Sequence, residues 1–281
     1  MAYRHIEIHP IAGALGAEIS GIDLRSAEDA AFDEFRQALR DHLVVFVREQ
    51  PLSPDEQISL TQKFGPFCEV PHASRRLKGY PDILEVVDKG TSGNPRNVGG
   101  DWHTDMPFLE RPPAQCILYG KTVPDHGGDT QWTNLCAAYE ALSDGIKATL
   151  ATLTAVHSAT RIAGSRAAGR NRREVQPPVE EMDREVTHPV VRTHVETGRK
   201  CLFVNRPTFL RFTGWTEAES LSLHEYLCAH AARSEFTCRF RWTPDTVTIW
   251  DNRCTQHYAI DDYAGAARVM HRTSVLGERP V

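Results

Sequence analysis

Hydrophobic and polar positions along the first third of the chain follow two different periods, which predict helices and strands in alternation. The apolar run "LVVFV" at 43–47 is typical of a buried strand, and the helical pattern before it is predicted to end near His42. Ser53 and Glu56 have the spacing of a capping box, with Pro54 at the first helical position. A second helix is therefore predicted to begin directly after Ser53.

Beyond position 103 the pattern is mainly that of strands. Runs of β-branched and aromatic residues bounded by turn residues predict strands within 114–123, 187–205, 236–242, 246–251 and 267–277. Inside the second of these ranges, "HVETGRK" predicts a hairpin turn. Apolar residues recur at helical spacing only within 135–153 and 215–234. Together these patterns predict a largely antiparallel β core with helices packed outside it.

Length and composition favour one large core. The chain has 281 residues, of which 41% are hydrophobic, and a soluble chain of this size buries about three quarters of its unfolded surface. Because no repeat, low-complexity tract or long linker divides the sequence, we expect a single domain over 1–281. The charged stretch 164–185 has few apolar residues. It predicts a solvated surface loop, with a mobile lid over a site as the functional alternative.

Charge and cysteine usage narrow the class of partner. A net charge of −5 argues against nucleic acid or an anionic membrane and favours a small-molecule partner. The sequence has no apolar run of signal-peptide or membrane-spanning length, so we expect a cytoplasmic protein. The seven cysteines are scattered and never form a CxxC pair, which predicts reduced thiols packed in the core.

The stretch "GGDWHTDMPF" at 99–108 holds the strongest candidate chemistry. If it is extended, His103 and Asp105 point to one side and form half of a metal site. Asp101 shares that side, so spacing alone leaves open which carboxylate would bind. His257, just after the strand pattern "TVTIWD", is the best candidate for a second imidazole. Two histidines and one carboxylate are the set with which non-haem Fe(II) keeps coordination positions open.

Two arginines near the end of the chain indicate anionic ligands. Arg268 and Arg272 share one face of "RVMHR" if it is a strand. Guanidinium groups turned into a core need anions beside them, and their planar forks suit carboxylate or sulfonate groups. The alternative is an edge strand on which both side chains are exposed. The functional interpretation predicts two acidic small molecules in one pocket.

Four motifs together resemble the Fe(II)/2-oxoglutarate-dependent dioxygenases of the taurine dioxygenase (TauD/TfdA) family. They are "WHTDMPF", "HGGDT", "WDNRCTQHYAI" and "RVMHRTSVLGERP", and the resemblance extends from "GAEISGIDL" to the last residues. It implies a double-stranded β-helix (jelly-roll) core, mostly antiparallel, with flanking helices and a homo-oligomer, dimer or tetramer. It also implies Fe(II) as cofactor, with 2-oxoglutarate and O2 as co-substrates.

The resemblance also implies a role for individual residues. The iron ligands, which are the catalytic residues, would be His103, Asp105 and His257. Thr130 and Arg268 would bind the distal carboxylate of 2-oxoglutarate. Arg272 would hold the acidic group of the primary substrate, and His72 in "EVPHAS" would contact that substrate.

The implied reaction couples conversion of 2-oxoglutarate into succinate and CO2 with hydroxylation of a small anionic substrate. A sulfonate, a sulfate ester, or an aryloxyalkanoate or other carboxylic acid would fit. A zinc-dependent hydrolase on the same ligands is one alternative, although it has no use for Arg268 and Thr130. A natural-product-tailoring oxygenase that desaturates or otherwise oxidises its substrate is another. A non-catalytic binding protein is a third, and the presence of all three ligands counts against it.

Overall fold

The computed structural model describes residues 3–69, 75–88, 99–160, 184–263 and 265–281. In chain order the strands are β1 (Glu7–Pro10), β2 (Ala17–Ser20), β3 (Val44–Val47), β4 (Arg76–Leu77), β5 (Tyr80–Asp88), β6 (Pro113–Thr122), β7 (Thr130–Asn134), β8 (Thr154–His157), β9 (Val186–Pro189), β10 (Val191–Thr193), β11 (Lys200–Leu202), β12 (Phe209–Phe212), β13 (Thr237–Phe240), β14 (Val247–Asp251), β15 (Thr255–Ala259) and β16 (Arg268–Leu276). The helices are α1 (Asp29–His42), α2 (Pro54–Gln62), α3 (Leu135–Glu140), α4 (Asp144–Leu150) and α5 (Glu217–Ala231).

Two sheets build the centre of the fold. The larger sheet has the order β1-β2-β3-β14-β6-β16-β5-β4, and the smaller has the order β13-β7-β15. Neighbouring strands are antiparallel except for β2 and β3. A separate sheet, β12-β8-β9, and the hairpin β10-β11 complete the strands of the described residues. The predicted mixed α and β class with a mostly antiparallel jelly-roll core is confirmed.

Aromatic side chains join the two central sheets face to face. Phe46 of the larger sheet stacks on Phe240 of the smaller, with ring centroids 3.9 Å apart. Trp250 of the larger sheet meets Trp132 of the smaller at 6.0 Å. Because such pairs bury large apolar surfaces, they hold the two layers together. The core between the sheets also contains Met270 of β16.

Strand β3 is buried on both faces, as the run "LVVFV" predicts. Val44 and Phe46 face the core between the sheets, whereas Val45 and Val47 face the cluster that includes Phe32 of α1. This alternation follows from the two-residue period of a strand.

The predicted helix boundaries near α1 and α2 are confirmed. Helix α1 ends at His42, and Leu43 follows in the left-handed region with a φ of 64°. The Ser53 side chain accepts a hydrogen bond from the Glu56 amide, and the Glu56 carboxylate accepts one from the Ser53 amide. The helical pattern at 135–153 is divided into α3 and α4, because Ser143 caps a new helix.

The prediction that all cysteines are reduced thiols is wrong for one pair. Cys136 at the start of α3 and Cys201 on β11 form a disulfide. They lie 65 positions apart in the sequence, so no spacing rule could pair them, and only the packing of α3 against β11 brings them together. The other five cysteines are free and buried, as predicted.

His157, on β8, makes the stability of the fold sensitive to acid. Its side chain is fully buried, and burial lowers the pKa of His157 from 6.5 to about 3, with His188 and His224 adding repulsion. The unfolded chain therefore binds a proton between pH 6.5 and 3 that the folded chain does not bind. As the pH decreases through this window, we expect the free energy of unfolding to decrease. His157 contributes up to about 1.4 kcal/mol of this loss per pH unit.

Denaturant titrations at pH 7 and pH 5 test this expectation. His157→Gln should lose less stability than the wild type between the two values, because it has no proton to gain. His9→Gln is the control, since the His9 side chain is 60% exposed. Equal losses in the wild type and His157→Gln would contradict the assignment.

The stretch 164–185, predicted as a surface loop or a lid, is largely outside the part of the chain that the structure describes. Residues 164–183 of it lie outside the described residues. In the part of the chain that the structure covers, no helix combines the length and the apolar character that a membrane crossing requires.

Candidate metal centre

His103 and His257 are direct neighbours across two antiparallel segments. The His103 amide donates to the His257 carbonyl at 3.1 Å, and the His257 amide donates to the His103 carbonyl at 2.8 Å. Directly opposite residues project their side chains to the same face. The imidazole centroids are accordingly 4.1 Å apart.

Asp105 completes this group. Its Oδ1 lies 4.0 Å from His103 Nε2, and one ligand atom from each of His103, Asp105 and His257 lies within 4.8 Å of the others. The spacing argument left Asp101 open as a rival carboxylate. Asp101 is exposed and is absent from this group of donor atoms, whereas Asp105 is buried. The geometry therefore favours Asp105.

The orientation of both imidazoles suits a metal ion. His103 Nδ1 lies 2.7 Å from the Asp101 carbonyl oxygen. Because a carbonyl oxygen only accepts, Nδ1 carries a proton, which leaves Nε2, on the side of Asp105, as the nitrogen that can bind a metal ion. His257 is buried with its ring centroid 4.8 Å from that of Trp250. Burial lowers the pKa of His257 well below its ordinary value, so this ring is neutral and can bind a metal ion.

The carboxylate between them is charged and incompletely bonded. Burial alone would raise the pKa of Asp105, but the positive charge of Arg272 outweighs it and holds the pKa at about 2. Arg272 Nη1 donates to Asp105 Oδ1 at 2.7 Å. Asp105 Oδ2 is buried without a hydrogen-bond partner among the described residues. Two imidazoles and a carboxylate with an unused oxygen fit a divalent iron ion.

Thr130 and Arg268 meet at a second point, around Trp242. The Trp242 indole N–H donates to Thr130 Oγ1 at 3.0 Å, so the Thr130 hydroxyl keeps its own proton for another acceptor. The Arg268 guanidinium carbon lies 5.9 Å from the centroid of the Trp242 ring. A hydroxyl donor and a guanidinium that both contact one indole can bind a carboxylate group.

The turn before β7 needs glycine because of its backbone conformation and because Asp262 and Tyr263 pack closely against it. Gly127 and Gly128 have φ values of 74° and 67°, in the left-handed region that side chains disfavour. A Cβ on Gly128 would lie 3.1 Å from the Tyr263 ring and 3.4 Å from Arg268 Cδ. The motif "HGGDT" thus allows the segment with Asp262 and Tyr263 to pack against this turn.

The structure locates the predicted substrate-binding residue Arg272 but does not describe His72. Arg272 lies beside Asp105, at the candidate metal centre. Both arginines belong to β16 and are largely buried, so the edge-strand alternative does not hold. His72 lies outside the described residues, and its predicted contact with the substrate stays a prediction.

Sequence reasoning missed two residues that the structure places at the site. Trp242 contacts both residues of the candidate carboxylate site, and Asn252 bonds to the backbone of Asp105. The only sequence signal for Asn252 is its place in "WDNRCTQH", close before His257. No local signal marks Trp242, because its partners are 112 positions before it and in a later strand.

A second buried group of metal-binding residue types, His194, Asp251 and Cys254, already has an internal cation. Arg253 donates to both carboxylate oxygens of Asp251, at 2.9 and 2.6 Å. His194 Nε2 lies 2.9 Å from Asp251 Oδ2. We therefore interpret this group as part of the framework.

Comparison with known proteins gives a family match and relatives that cover most of the chain. Residues 7–274 match the model of the family described as "Taurine catabolism dioxygenase TauD, TfdA family". The chain is 35% identical to an alkylsulfatase of Acinetobacter baylyi, over 98% of this chain and 86% of that protein. It is 36% identical to an alpha-ketoglutarate-dependent sulfate ester dioxygenase of Pseudomonas putida, over 98% of this chain and 91% of that protein.

A solved structure agrees as well. The crystal structure of a putative alpha-ketoglutarate-dependent taurine dioxygenase from Burkholderia xenovorans superposes with a TM-score of 0.82 at 34% identity. The superposition covers 98% of this chain and 94% of that chain. Family match, relatives and fold therefore agree with one another, and the chain belongs to the TauD/TfdA family of dioxygenases.

Proposed function

We propose that this enzyme is an Fe(II)- and 2-oxoglutarate-dependent dioxygenase that hydroxylates a small anionic substrate. His103, Asp105 and His257 hold the iron through His103 Nε2, the Asp105 carboxylate and the His257 imidazole. Three observations support this set: the 4.8 Å limit on their mutual distances, the fixed tautomer of His103 and the unused oxygen of Asp105. Bound Fe(II) supplies the oxidation chemistry, in which substrate, 2-oxoglutarate and O2 give hydroxylated substrate, succinate and CO2.

Arg268 and Thr130 bind the distal carboxylate of 2-oxoglutarate. The guanidinium offers two parallel donors, and the Thr130 hydroxyl, held by Trp242, offers a third. Because Arg268 and Thr130 are both buried, they bind the carboxylate away from bulk water, where charge-assisted hydrogen bonds are strongest. The zinc hydrolase alternative leaves these residues without a role.

Arg272 binds the anionic group of the primary substrate, and its contacts carry the substrate part of the proposal. One of its nitrogens, Nη1, is bound to Asp105, while Nε is buried with no hydrogen-bond partner among the described residues. A guanidinium has five N–H donors, so Arg272 can hold an anion while it remains attached to Asp105. A substrate held in this way has its neighbouring C–H bond beside the metal centre.

Among anionic substrates, a sulfate ester is the first class to test, since the two relatives described above are named for alkyl sulfate or sulfate ester chemistry. Hydroxylation of the carbon that carries the sulfate group gives R–CH(OH)–OSO3⁻. The C–O bond to sulfate then breaks with transfer of the hydroxyl proton, which releases an aldehyde and hydrogen sulfate. The overall reaction consumes one 2-oxoglutarate and one O2 for each ester.

A panel assay tests the proposed function. Purified protein with Fe(II), ascorbate and 2-oxoglutarate receives an alkyl sulfate, an alkylsulfonate, an aryloxyacetate or the matching uncharged alcohol. We expect at least one anion, and not the alcohol, to stimulate succinate formation and to yield an equal amount of oxidised product. Hydrolysis that depends on zinc and needs neither 2-oxoglutarate nor O2 would instead support the hydrolase.

Arg272→Ala should weaken the use of the anionic substrate selectively. We expect KM for that substrate to rise by about 100-fold, because a buried charge-assisted contact contributes about 2–5 kcal/mol. KM for 2-oxoglutarate should change far less, since Arg268 holds that ligand. Metal binding must be measured alongside, because Arg272 also touches Asp105. An unchanged substrate KM would show that the anion is held elsewhere.

Assembly and location form a separate part of the proposal. We propose a single domain over 1–281 that assembles into a cytoplasmic homo-oligomer, dimer or tetramer. The family resemblance supports the oligomer, and the net charge of −5 suits a dissolved enzyme. The Cys136–Cys201 disulfide is unusual for a reducing compartment, although both residues are buried. Light scattering of the purified protein would determine the number of subunits.

A further inference from the structure

We propose that Asn252 is a positioning residue that holds the metal ligand Asp105 in place. The inference rests on the proposed function, because it takes Asp105 as a ligand. It adds a role for a side chain that would touch neither the metal nor a substrate. The role follows from the hydrogen bonds of one buried amide and from the way its turn is locked.

The Asn252 side chain bonds to both backbone groups of Asp105. Its Oδ1 accepts from the Asp105 amide at 2.9 Å, and its Nδ2 donates to the Asp105 carbonyl at 3.1 Å. Nδ2 also donates to the Pro113 carbonyl at 3.0 Å. Asn252 is 1% exposed, so these bonds are formed away from water, where unpaired partners would be costly.

The carboxamide of Asn252 matches the hydrogen-bonding groups that surround it. It presents one acceptor and two donors in a plane, and Asp105 with Pro113 offers one donor and two acceptors. Residue 105 is followed by Met106 with a φ of 50°, so the chain turns away and cannot continue pairing with β15 as His103 does. Asn252 supplies the backbone contacts that a neighbouring strand would otherwise provide.

Buried hydrogen bonds hold the turn that carries Asn252 in one conformation. Asp251 accepts two hydrogen bonds from the Arg253 guanidinium and one from the Arg253 amide. His194 Nδ1 lies 3.3 Å from the Thr197 amide, which must donate, so His194 Nε2 donates to Asp251 at 2.9 Å. Asp251 and Arg253 are almost completely buried. The flanks of Asn252 therefore have little freedom to move.

The same turn joins both halves of the metal centre. It connects β14 to β15, the strand on which His257 lies. A second bond ties it to the ligand segment, since Thr104 Oγ1 donates to the Thr255 carbonyl at 3.1 Å. One rigid turn thus sets the position of His257 through the backbone and that of Asp105 through Asn252.

Metal binding by two Asn252 variants tests the inference. Asn252→Ala removes all three hydrogen bonds. Asn252→Asp keeps the shape and the acceptor but turns an oxygen towards two carbonyl groups. We expect the Kd for Mn(II), measured by EPR titration, to rise by about 10–100-fold in both, as for other groups that orient metal ligands. At saturating Co(II), the visible absorption bands should also change, because the carboxylate is held differently.

Gln50→Ala is the matched control. Gln50 is a buried amide at the opposite end of β14, where it accepts from the Leu24 amide at 2.8 Å and donates to the Ile22 carbonyl at 3.2 Å. Its loss removes comparable hydrogen bonds far from the metal centre. We expect Gln50→Ala to lower the unfolding temperature while the Mn(II) Kd and the Co(II) spectrum stay as in the wild type.

The outcomes separate the two proposals. If the wild type does not bind Mn(II), or Asp105→Ala binds it as well as the wild type, the proposed ligand set fails and this inference fails with it. If Asp105→Ala loses the metal but both Asn252 variants bind it within twofold of the wild type, only the inference is overturned. Equal metal loss in Gln50→Ala would also overturn it, because the effect would then follow from stability alone. Asn252→Asp keeps the test informative if Asn252→Ala does not fold.

Discussion

Asp105→Asn is expected to bind Mn(II) or Fe(II) more than about 100-fold more weakly than the wild type and to lose 2-oxoglutarate turnover. Loss of a group that merely orients a ligand costs 10–100-fold in affinity, and Asp105 is a proposed ligand itself. The asparagine keeps the shape of the side chain but removes the charge that balances a divalent ion. Isothermal titration with Mn(II) and succinate formation measure the two losses.

The same change should also destabilise the metal-free protein. Arg272 is bonded to Asp105 at 2.7 Å, with only 19% of the Arg272 side chain exposed. Removing one partner of such a pair leaves the other charge uncompensated, at a cost of about 3 kcal/mol. We therefore expect a lower unfolding temperature for Asp105→Asn without metal.

A double variant separates these two effects. Asp105→Asn combined with Arg272→Met should recover much of the lost stability, because no unpaired charge is left, but it should not recover metal binding. Chemical denaturation and metal titration of the four proteins complete a double-mutant cycle. Recovery of metal affinity in the double variant, or wild-type affinity in Asp105→Asn, would contradict the role of Asp105 as a ligand.

The second large effect is expected at Arg268. Arg268→Ala should raise KM for 2-oxoglutarate by about 100-fold or more, because truncating one partner of a buried hydrogen-bonded charge pair costs about 2–5 kcal/mol. Arg268→Lys should recover only part of this loss, since an ammonium group lacks the planar fork that pairs with both carboxylate oxygens. KM of the primary substrate should change much less.

Two further variants test which neighbours of Arg268 affect the KM for 2-oxoglutarate. Trp242→Phe removes the N–H that orients Thr130, together with part of a buried ring, but leaves the Arg268 guanidinium in place. We therefore expect a smaller increase in the 2-oxoglutarate KM than for Arg268→Ala. Arg239→Ala is the control. Arg239 pairs with Asp129 of the turn "HGGDT", which ends at Thr130, but the Arg239 side chain is 51% exposed. Exposed ion pairs contribute about 0–1 kcal/mol to stability. A normal 2-oxoglutarate KM in Arg268→Ala would refute the assignment of this arginine.

Local sequence patterns predicted much of the fold. The run "LVVFV" indicated a strand buried on both faces, and the spacing of Ser53 and Glu56 indicated the start of α2. Both follow from short-range physics, namely side-chain alternation and the capping of free amides. These local patterns could not predict contacts between positions that are far apart in the sequence. The disulfide between Cys136 and Cys201 has no local signal.

In the candidate site, too, local sequence predicted some features, and others depend on long-range contacts. The motifs identified the family and its reaction class, and the comparisons confirm both. The one-residue spacing of His103 and Asp105 placed them on one face, but it could not exclude Asp101. That choice depends on the burial of Asp105, on its pairing with Arg272 and on the side chain of Asn252. The two contacts join positions that are 167 and 147 residues apart.

The sequence by itself determined the donor types, the strand alternation and the two glycines at 127 and 128, because these properties depend on neighbouring residues and on side-chain chemistry. The tertiary structure alone decided which donors meet, which tautomer His103 adopts and which polar side chains hold the ligand segment. Those features depend on contacts between distant segments, which form only when two sheets close around a common core.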